Sequence, residues 1–470
     1  MKRRVVAILC GLFILILTCS LVALENVGVD TAAPAQSKLP SVTTAKNILN
    51  STHRHGEWHR IAVGSSEVLT WVVYPDRSNK APVVIVNADD QKLTDWLRAV
   101  ADQVGFEGFI VAVPDVLSTG RIQNQAVRQY VAGLPPSDGK AATLTFSAGR
   151  MKAAVGRHET NFPLSEKAWP ELIAFLNTNT ENRPAFGVMH EHMGHIMTQP
   201  EPQAATPAAP QPPRGYPIGK LDGLVAGYFN AKSTWMKSPR RAEWAEIPVG
   251  NVKLRTRIVY PDGNEEASIV IVMQHGTGLD DWMLALADQL AYHGFIAVAP
   301  DMHSGFGVNG GNYDTFQTID DAMRANARFT RDETMRRFKA ARDYGLKLTR
   351  ADGKSASIGF CMGGGNSFAF AGEVPEHNAS VVFYGGGPDE ATMAKIKAPV
   401  LGLYGEDDVR LTSTVEKTAA DMKRLGKSFE YHIYPHATHV FLEFQDLGGN
   451  PAAVADAWPR AMAFIKEHTR

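Results

Sequence analysis

The chain has 470 residues, more than one ordinary hydrophobic core organises, so two domains or one large decorated domain are expected. Its 48 basic and 49 acidic residues nearly cancel, which excludes the field that a nucleic-acid or anionic-membrane binder uses to collect its partner. A composition 44% hydrophobic and 21% charged is that of a folded globular protein.

Met1-Lys2-Arg3-Arg4 precedes an uncharged run over residues 5–24, the charged and apolar regions of an export signal. A run of that length also suffices to cross a bilayer, so the alternative to cleavage, for instance after Ala23, is an uncleaved anchor. Thr18-Cys19 matches a lipoprotein acceptor only loosely, because a residue smaller than Thr usually precedes that Cys. In each case the rest of the chain faces a periplasmic or extracellular space. Cys10 and Cys19 fall inside the signal, which leaves Cys361 as the single thiol of the exported part and excludes an internal disulfide there. Residues 25–56 are rich in Ala, Ser and Thr without sustained periodicity and read as a tether.

A segment then begins that recurs 186 positions later without a gap. Glu57-Trp58 returns as Glu243-Trp244, Tyr74-Pro75-Asp76 as Tyr260-Pro261-Asp262, Asp95-Trp96 as Asp281-Trp282, and Pro114-Asp115 as Pro300-Asp301. In each copy an apolar run (residues 83–86 and 269–273) reads as a buried parallel strand. A helical stretch (93–104 and 279–292) and a second strand ending at the Pro-Asp follow. Strand, helix and strand of this kind make a βαβ unit in a doubly wound, mostly parallel α/β sheet.

The copies then diverge. Asp138-Gly139-Lys140 through Ser147-Ala148-Gly149 parallels Asp352-Gly353-Lys354 through Cys361-Met362-Gly363, so Ser147 stands where Cys361 does. Thr145 replaces the corresponding Gly359, the stretch that would carry an acidic partner is missing, and Asn161 falls where His439 does. Residues 57–178 therefore read as a shortened, degenerate and catalytically silent repeat. Residues 179–240 hold Met189-His190-Glu191-His192-Met193-Gly194-His195, whose donors suit a soft metal but whose setting suits a flexible polar segment, and an Ala/Pro/Gln linker at 201–214.

Residues 241–470 carry the chemistry. Gly359-Phe360-Cys361-Met362-Gly363-Gly364 lies between a β-prone stretch (355–360) and a small-residue helical one (366–371), the strand-turn-helix setting of a nucleophile elbow with sulfur in place of a hydroxyl. Gly at both flanks is required because the turn leaves no room for a side chain, and the helix N-terminus favours a thiolate. A strand at 399–405 ends in Glu406-Asp407-Asp408, where open α/β sheets build sites. The strand at 429–434 leads to Pro435-His436-Ala437-Thr438-His439, and a helix over 452–468 closes the sheet.

Nucleophile, acid and histidine in this order resemble the dienelactone hydrolase family, whose members carry a Cys-Asp-His triad on an α/β-hydrolase sheet. The resemblance covers about residues 244–470 and rests on Gly-Phe-Cys-Met-Gly-Gly, on Gly405-Glu406-Asp407-Asp408, and on Tyr434-Pro435 with Ala437, His439 and Phe441. It implies Cys361 as nucleophile, His439 as base and Asp408 as its orienting acid, with Asp407 and His436 as rivals. It also implies a thioester intermediate, an oxyanion hole from the backbone N–H groups of Met362 and Gly276, and no cofactor or metal. Two departures bear on substrate. The family's best-known members have Glu after the strand-end Gln, where this chain has Gln274-His275. They also have Arg four residues after the His, where this chain has Glu443. Gln274, His275 and Glu443 are thus candidate pocket residues, and an acid at 443 would repel a carboxylate-bearing lactone. The expected partner is a small ester or lactone. Transfer to an acceptor other than water and a non-catalytic scaffold are the other readings.

Overall fold

The computed structural model describes residues 37–52, 54–64, 66–88, 93–115, 121–184, 225–445 and 450–469. The export signal, the His/Met segment and the Ala/Pro/Gln linker lie outside the described residues.

Two sheets organise the chain. The first has strands β1 (Gly56–Val63), β2 (Ser66–Val73), β3 (Ala81–Ala88), β4 (Ile110–Pro114), β5 (Ser137–Ser147), β6 (Arg150–Val155) and β7 (His158–Pro163), in the order β1-β2-β4-β3-β5-β6-β7. The second has β8 (Ala242–Val249), β9 (Val252–Val259), β10 (Ala267–Met273), β11 (Ile296–Pro300), β12 (Ala351–Phe360), β13 (Ala379–Phe383), β14 (Val400–Gly405) and β15 (Phe429–Tyr434). Its order, β8-β9-β11-β10-β12-β13-β14-β15, repeats the first five positions of the other sheet. From β11 to β15 every pairing is parallel, while β9 runs against both neighbours.

Continuous apolar runs build central strands such as β10, β11 and β13, which are buried along their whole length because both faces of the sheet are covered there. Along β10, Val270 and Val272 pack on one face with Leu286 and Leu290 of helix Asp281–Tyr292 and with Trp458 of helix Asn450–His468. Ile271 and Met273 point the other way, toward Phe338 of helix Arg331–Gly345 and Phe370 of helix Met362–Glu373. A two-residue period thus serves two cores.

The repeat read in the sequence has equivalent contacts in both units. Arg54 holds Asp102 through Nε and Nη2 (2.9 and 2.6 Å), and Arg240 holds Asp288 through the same pair of nitrogens (3.0 and 2.5 Å). Each pair of equivalents is again 186 positions apart. The units part after β5. Where β12 turns into a helix at Cys361, β5 instead folds back through Ala148-Gly149 into β6, with Ser147 paired to Arg150. Gly149, with φ +71°, suits that hairpin turn, and the Ser147 backbone stays in an antiparallel ladder.

The expected tether is partly wrong. Among its described residues, Ala45–Ser51 is a helix, Leu39 is buried, and Trp169 donates its indole N–H to Ser37 (2.8 Å). This stretch packs on the first sheet because its few apolar residues, though aperiodic, fit the face left open beside helices Asp95–Phe106 and Trp169–Thr180.

The two units meet at the acid-bearing loop. The Arg77 N–H donates to the Asp407 carbonyl (2.8 Å), and the Val409 N–H donates to the Arg77 carbonyl (3.1 Å). The Arg77 side chain turns back and gives hydrogen bonds to Asn79, Gly108, Asn182 and Arg183, anchoring the contact in the first unit. The longer connection between β11 and β12 also crosses over, through Arg324 to Asp115 (3.1 Å) and through the Ala327 carbonyl, which accepts from Arg60.

Candidate active site

Cys361 occupies the turn between β12 and helix Met362–Glu373 with φ +55° and ψ −115°, a strained conformation for a residue with a side chain. Both flanking glycines are required by close backbone approach: a Cβ on Gly359 would run into the Gly363 carbonyl, and one on Gly363 into the Met273 carbonyl. The turn places the sulfur at the head of the helix, half-buried.

Asp408 follows β14, as expected for a residue at the C-terminal end of a parallel strand. Its Oδ2 lies 2.5 Å from Nδ1 of His439, and both side chains are buried. The sulfur lies close by: one ligand atom each of His55, Cys361 and His439 all lie within 4.8 Å of one another. The rivals are elsewhere. His436 is exposed and pairs with Glu406 (3.7 Å), and the Asp407 backbone is occupied in the contact with Arg77. Geometry therefore gathers Cys361, His439 and Asp408.

Charges follow from this packing. Burial alone would raise the Cys361 pKa, but His55 and His439 hold it well below the ordinary thiol value. Burial would lower that of His439, yet Asp408 and the sulfur push it up to about 9. Burial works against the Asp408 carboxylate too, and His439 and Arg410 keep it below its usual value. Thiolate, imidazolium and carboxylate thus sustain one another.

His275 and Glu443, the two departures from the family pattern, face each other. His275 Nδ1 lies 3.6 Å from Glu443, while its Nε2 contacts Asp280 (2.9 Å) and Thr277 (2.7 Å). Burial opposes the imidazolium, but Asp280 and Glu443 raise the His275 pKa well above normal. Glu443 is the more distant of two carboxylates around one cation, and burial raises its pKa. Gln274 is the exception among the expected pocket residues. It is fully buried and turned away, accepting from the Met302 N–H (3.2 Å) and lying 3.5 Å from His303. Met362 and Gly276 both border the cavity, and Met362 begins a helix, where backbone N–H groups lack an intrahelical acceptor.

The cavity beside the sulfur measures about 430 Å³ and is lined from both units. Trp58, Trp71 and Arg98 come from the first, Tyr228, His275 and Glu443 from the second, and Ile319, Met323 and Asn326 from the β11–β12 connection. The sequence reading missed the first unit's deepest contribution. His55 Nδ1 is 3.7 Å from Cys361 Sγ, its ring lies edge-on to that of His439 with centroids 4.4 Å apart, and its Nε2 is 3.3 Å from Glu57. Arg410 reaches from beside Glu57 (4.0 Å) to the His439 ring (3.4 Å). The matching spacing of Arg54 and Arg240 would have started the repeat at residue 54 and brought His55 inside it.

Among the described residues, two groups are close enough to share a metal ion: His55 with Cys361 and His439, and Glu406 with Asp407 and His436. The first is already accounted for by its own hydrogen bonds and ion pairs.

The dienelactone hydrolase family model matches residues 254–469. The protein Usf of Aquifex pyrophilus is 30% identical over 234 residues, covering 48% of this chain and 98% of that protein. A Saccharolobus solfataricus protein, named by inference a carboxymethylenebutenolidase, is 28% identical over 244 residues, covering 46% of this chain and 94% of its own. A solved dienelactone hydrolase-like promiscuous phosphotriesterase from metagenomic libraries superposes with a TM-score of 0.44 at 23% identity, covering 50% of this chain and all of that one. With the α/β-hydrolase sheet and its elbow in place, the chain belongs to the dienelactone hydrolase family.

Proposed function

We propose that this protein is an exported hydrolase of small carboxylic esters or lactones, acting through Cys361, His439 and Asp408 with a thioester intermediate. One observation supports it above the others: a sulfur on a strained elbow, within 4.8 Å of a ring nitrogen of an imidazole whose Nδ1 is 2.5 Å from a buried carboxylate.

In this reading the Cys361 thiolate adds to the carbonyl carbon, and the oxyanion takes hydrogen bonds from the backbone N–H groups of Met362 and Gly276. One such donor contributes on the order of 3 kcal/mol. The C–O bond then breaks as His439 protonates the leaving oxygen. His439 next takes a proton from water, the hydroxide adds to the thioester, and the C–S bond breaks to return the thiolate. Asp408 holds the His439 tautomer throughout. The buried His275 and Glu443 and the partly buried Asp280 set two carboxylates against one imidazolium beside the pocket, which favours an uncharged substrate over a carboxylate-bearing one. The basic, apolar N-terminus supports export.

The test is turnover of short aryl esters and lactones by the full chain and by Cys361→Ala. Loss of turnover with acyl-enzyme detected by mass in the parent protein is expected. Undiminished turnover by Cys361→Ala would remove the thiol from the mechanism.

A further inference from the structure

We infer that His55, supplied by the first unit, is a catalytic residue that holds the Cys361 thiolate. It rests on the reading of Cys361 as nucleophile. His55–Glu57 and His439–Asp408 are two imidazole–carboxylate pairs flanking one sulfur, which leaves His439 free to move protons while His55 keeps the negative charge on sulfur compensated.

His55 is placed firmly. Its carbonyl accepts from the Tyr74 N–H (2.9 Å), its neighbour Arg54 is clamped on Asp102, and Glu57 two residues on lies 3.3 Å from its Nε2. The S···N distance of 3.7 Å suits an N–H···S hydrogen bond, and the His55–Glu57 contact is an ion-pair distance without hydrogen-bond alignment. The groups facing the ring are Cys361, His439, Glu57 and Tyr74, with Arg410 behind Glu57. Burial disfavours the Glu57 carboxylate, but Arg410 and His55 hold it well below its usual pKa, so a negative charge backs the imidazole.

Through the cycle His55 keeps its Nδ1 proton. In acylation the sulfur lone pair forms the C–S bond and the proton for the leaving oxygen comes from His439. In deacylation the C–S bond breaks, the electron pair returns to sulfur, and His55 again donates to the thiolate as it leaves. His439 supplies and recovers the only transferred proton, so the sum is ester plus water giving acid plus alcohol. The unit without a nucleophile of its own thus completes the site of the other.

The test follows iodoacetamide alkylation of the Cys361 peptide by mass spectrometry, across pH, in full-length parent, His55→Ala and Glu57→Gln. Mass readout separates Cys361 from Cys10 and Cys19. A lowered thiol pKa in the parent should move up by about one pH unit or more in His55→Ala and by less in Glu57→Gln, with kcat/KM falling on the order of 100-fold in His55→Ala. A folded His55→Ala with the parent's alkylation profile overturns the inference even if turnover falls, since that loss would be structural. Should His55→Ala not fold, an unshifted Glu57→Gln profile overturns it. Alkylation needs no substrate, so failure here is distinct from retained turnover by Cys361→Ala, which would sink the nucleophile reading itself.

Discussion

Replacing Asp408 by Asn tests the electrostatics of the site most sharply. The substitution keeps size and removes the charge 2.5 Å from His439 Nδ1. His439 sits at about 9, although burial alone would lower it, because Asp408 first and the sulfur second favour the imidazolium. Against an ordinary value of about 6.5 the gap corresponds to roughly 3.4 kcal/mol, the floor on what these two partners contribute, since they also offset burial. If His439 fell all the way, its charged fraction at pH 8 would drop from about 90% to about 3%, roughly 30-fold, and the wrong tautomer would add to the loss. The expected outcome is an alkaline limb of kcat/KM that moves from about 9 toward neutrality. The loss at pH 8 should be at least about 30-fold, read from aryl-ester pH–rate profiles. Stability should shift in the same sense. A raised histidine pKa stabilises the fold fully below about 6.5 and ceases to do so as pH rises through about 9, so Asp408→Asn should cost most in mildly acidic solution. An unmoved alkaline limb with turnover near that of the parent would show that Asp408 is not the partner of His439 and would direct attention to Asp407.

Two further outcomes probe the relation between the units. Ser147→Ala should leave turnover unchanged, since β5 continues through Ser147 into a hairpin rather than an elbow, and a fall in kcat would contradict that assignment. Arg77→Ala removes a buried guanidinium that serves acceptors on Asn79, Gly108, Asn182 and Arg183 beside the acid loop. A loss of about 2–3 kcal/mol is expected in denaturant melts, with reduced turnover as the Asp407–Val409 contact loosens. A melt indistinguishable from the parent would refute the anchoring role.

The sequence alone was enough for the elements that local chemistry specifies. The apolar runs of β3 and β10 read as buried parallel strands, and Gly359 and Gly363 around Cys361 as the flanks of a turn too tight for side chains, and both are so in the fold. The segment recurring 186 positions later carried the shared order of the first four strands, β1 to β4 and β8 to β11. Tertiary structure decided what no local signal encodes. The family pattern already favoured Asp408 and His439 over Asp407 and His436, and the fold shows the first two side chains buried against each other while His436 lies exposed beside Glu406. His55 lies 306 positions from Cys361, and the one signal beside it, Arg54 spaced 186 positions from Arg240, extends the repeat over it without marking it as part of the site. Its place is set by Arg54 on Asp102 and by Arg77 docked between Asp407 and Val409, contacts whose meaning exists only once two sheets have packed together.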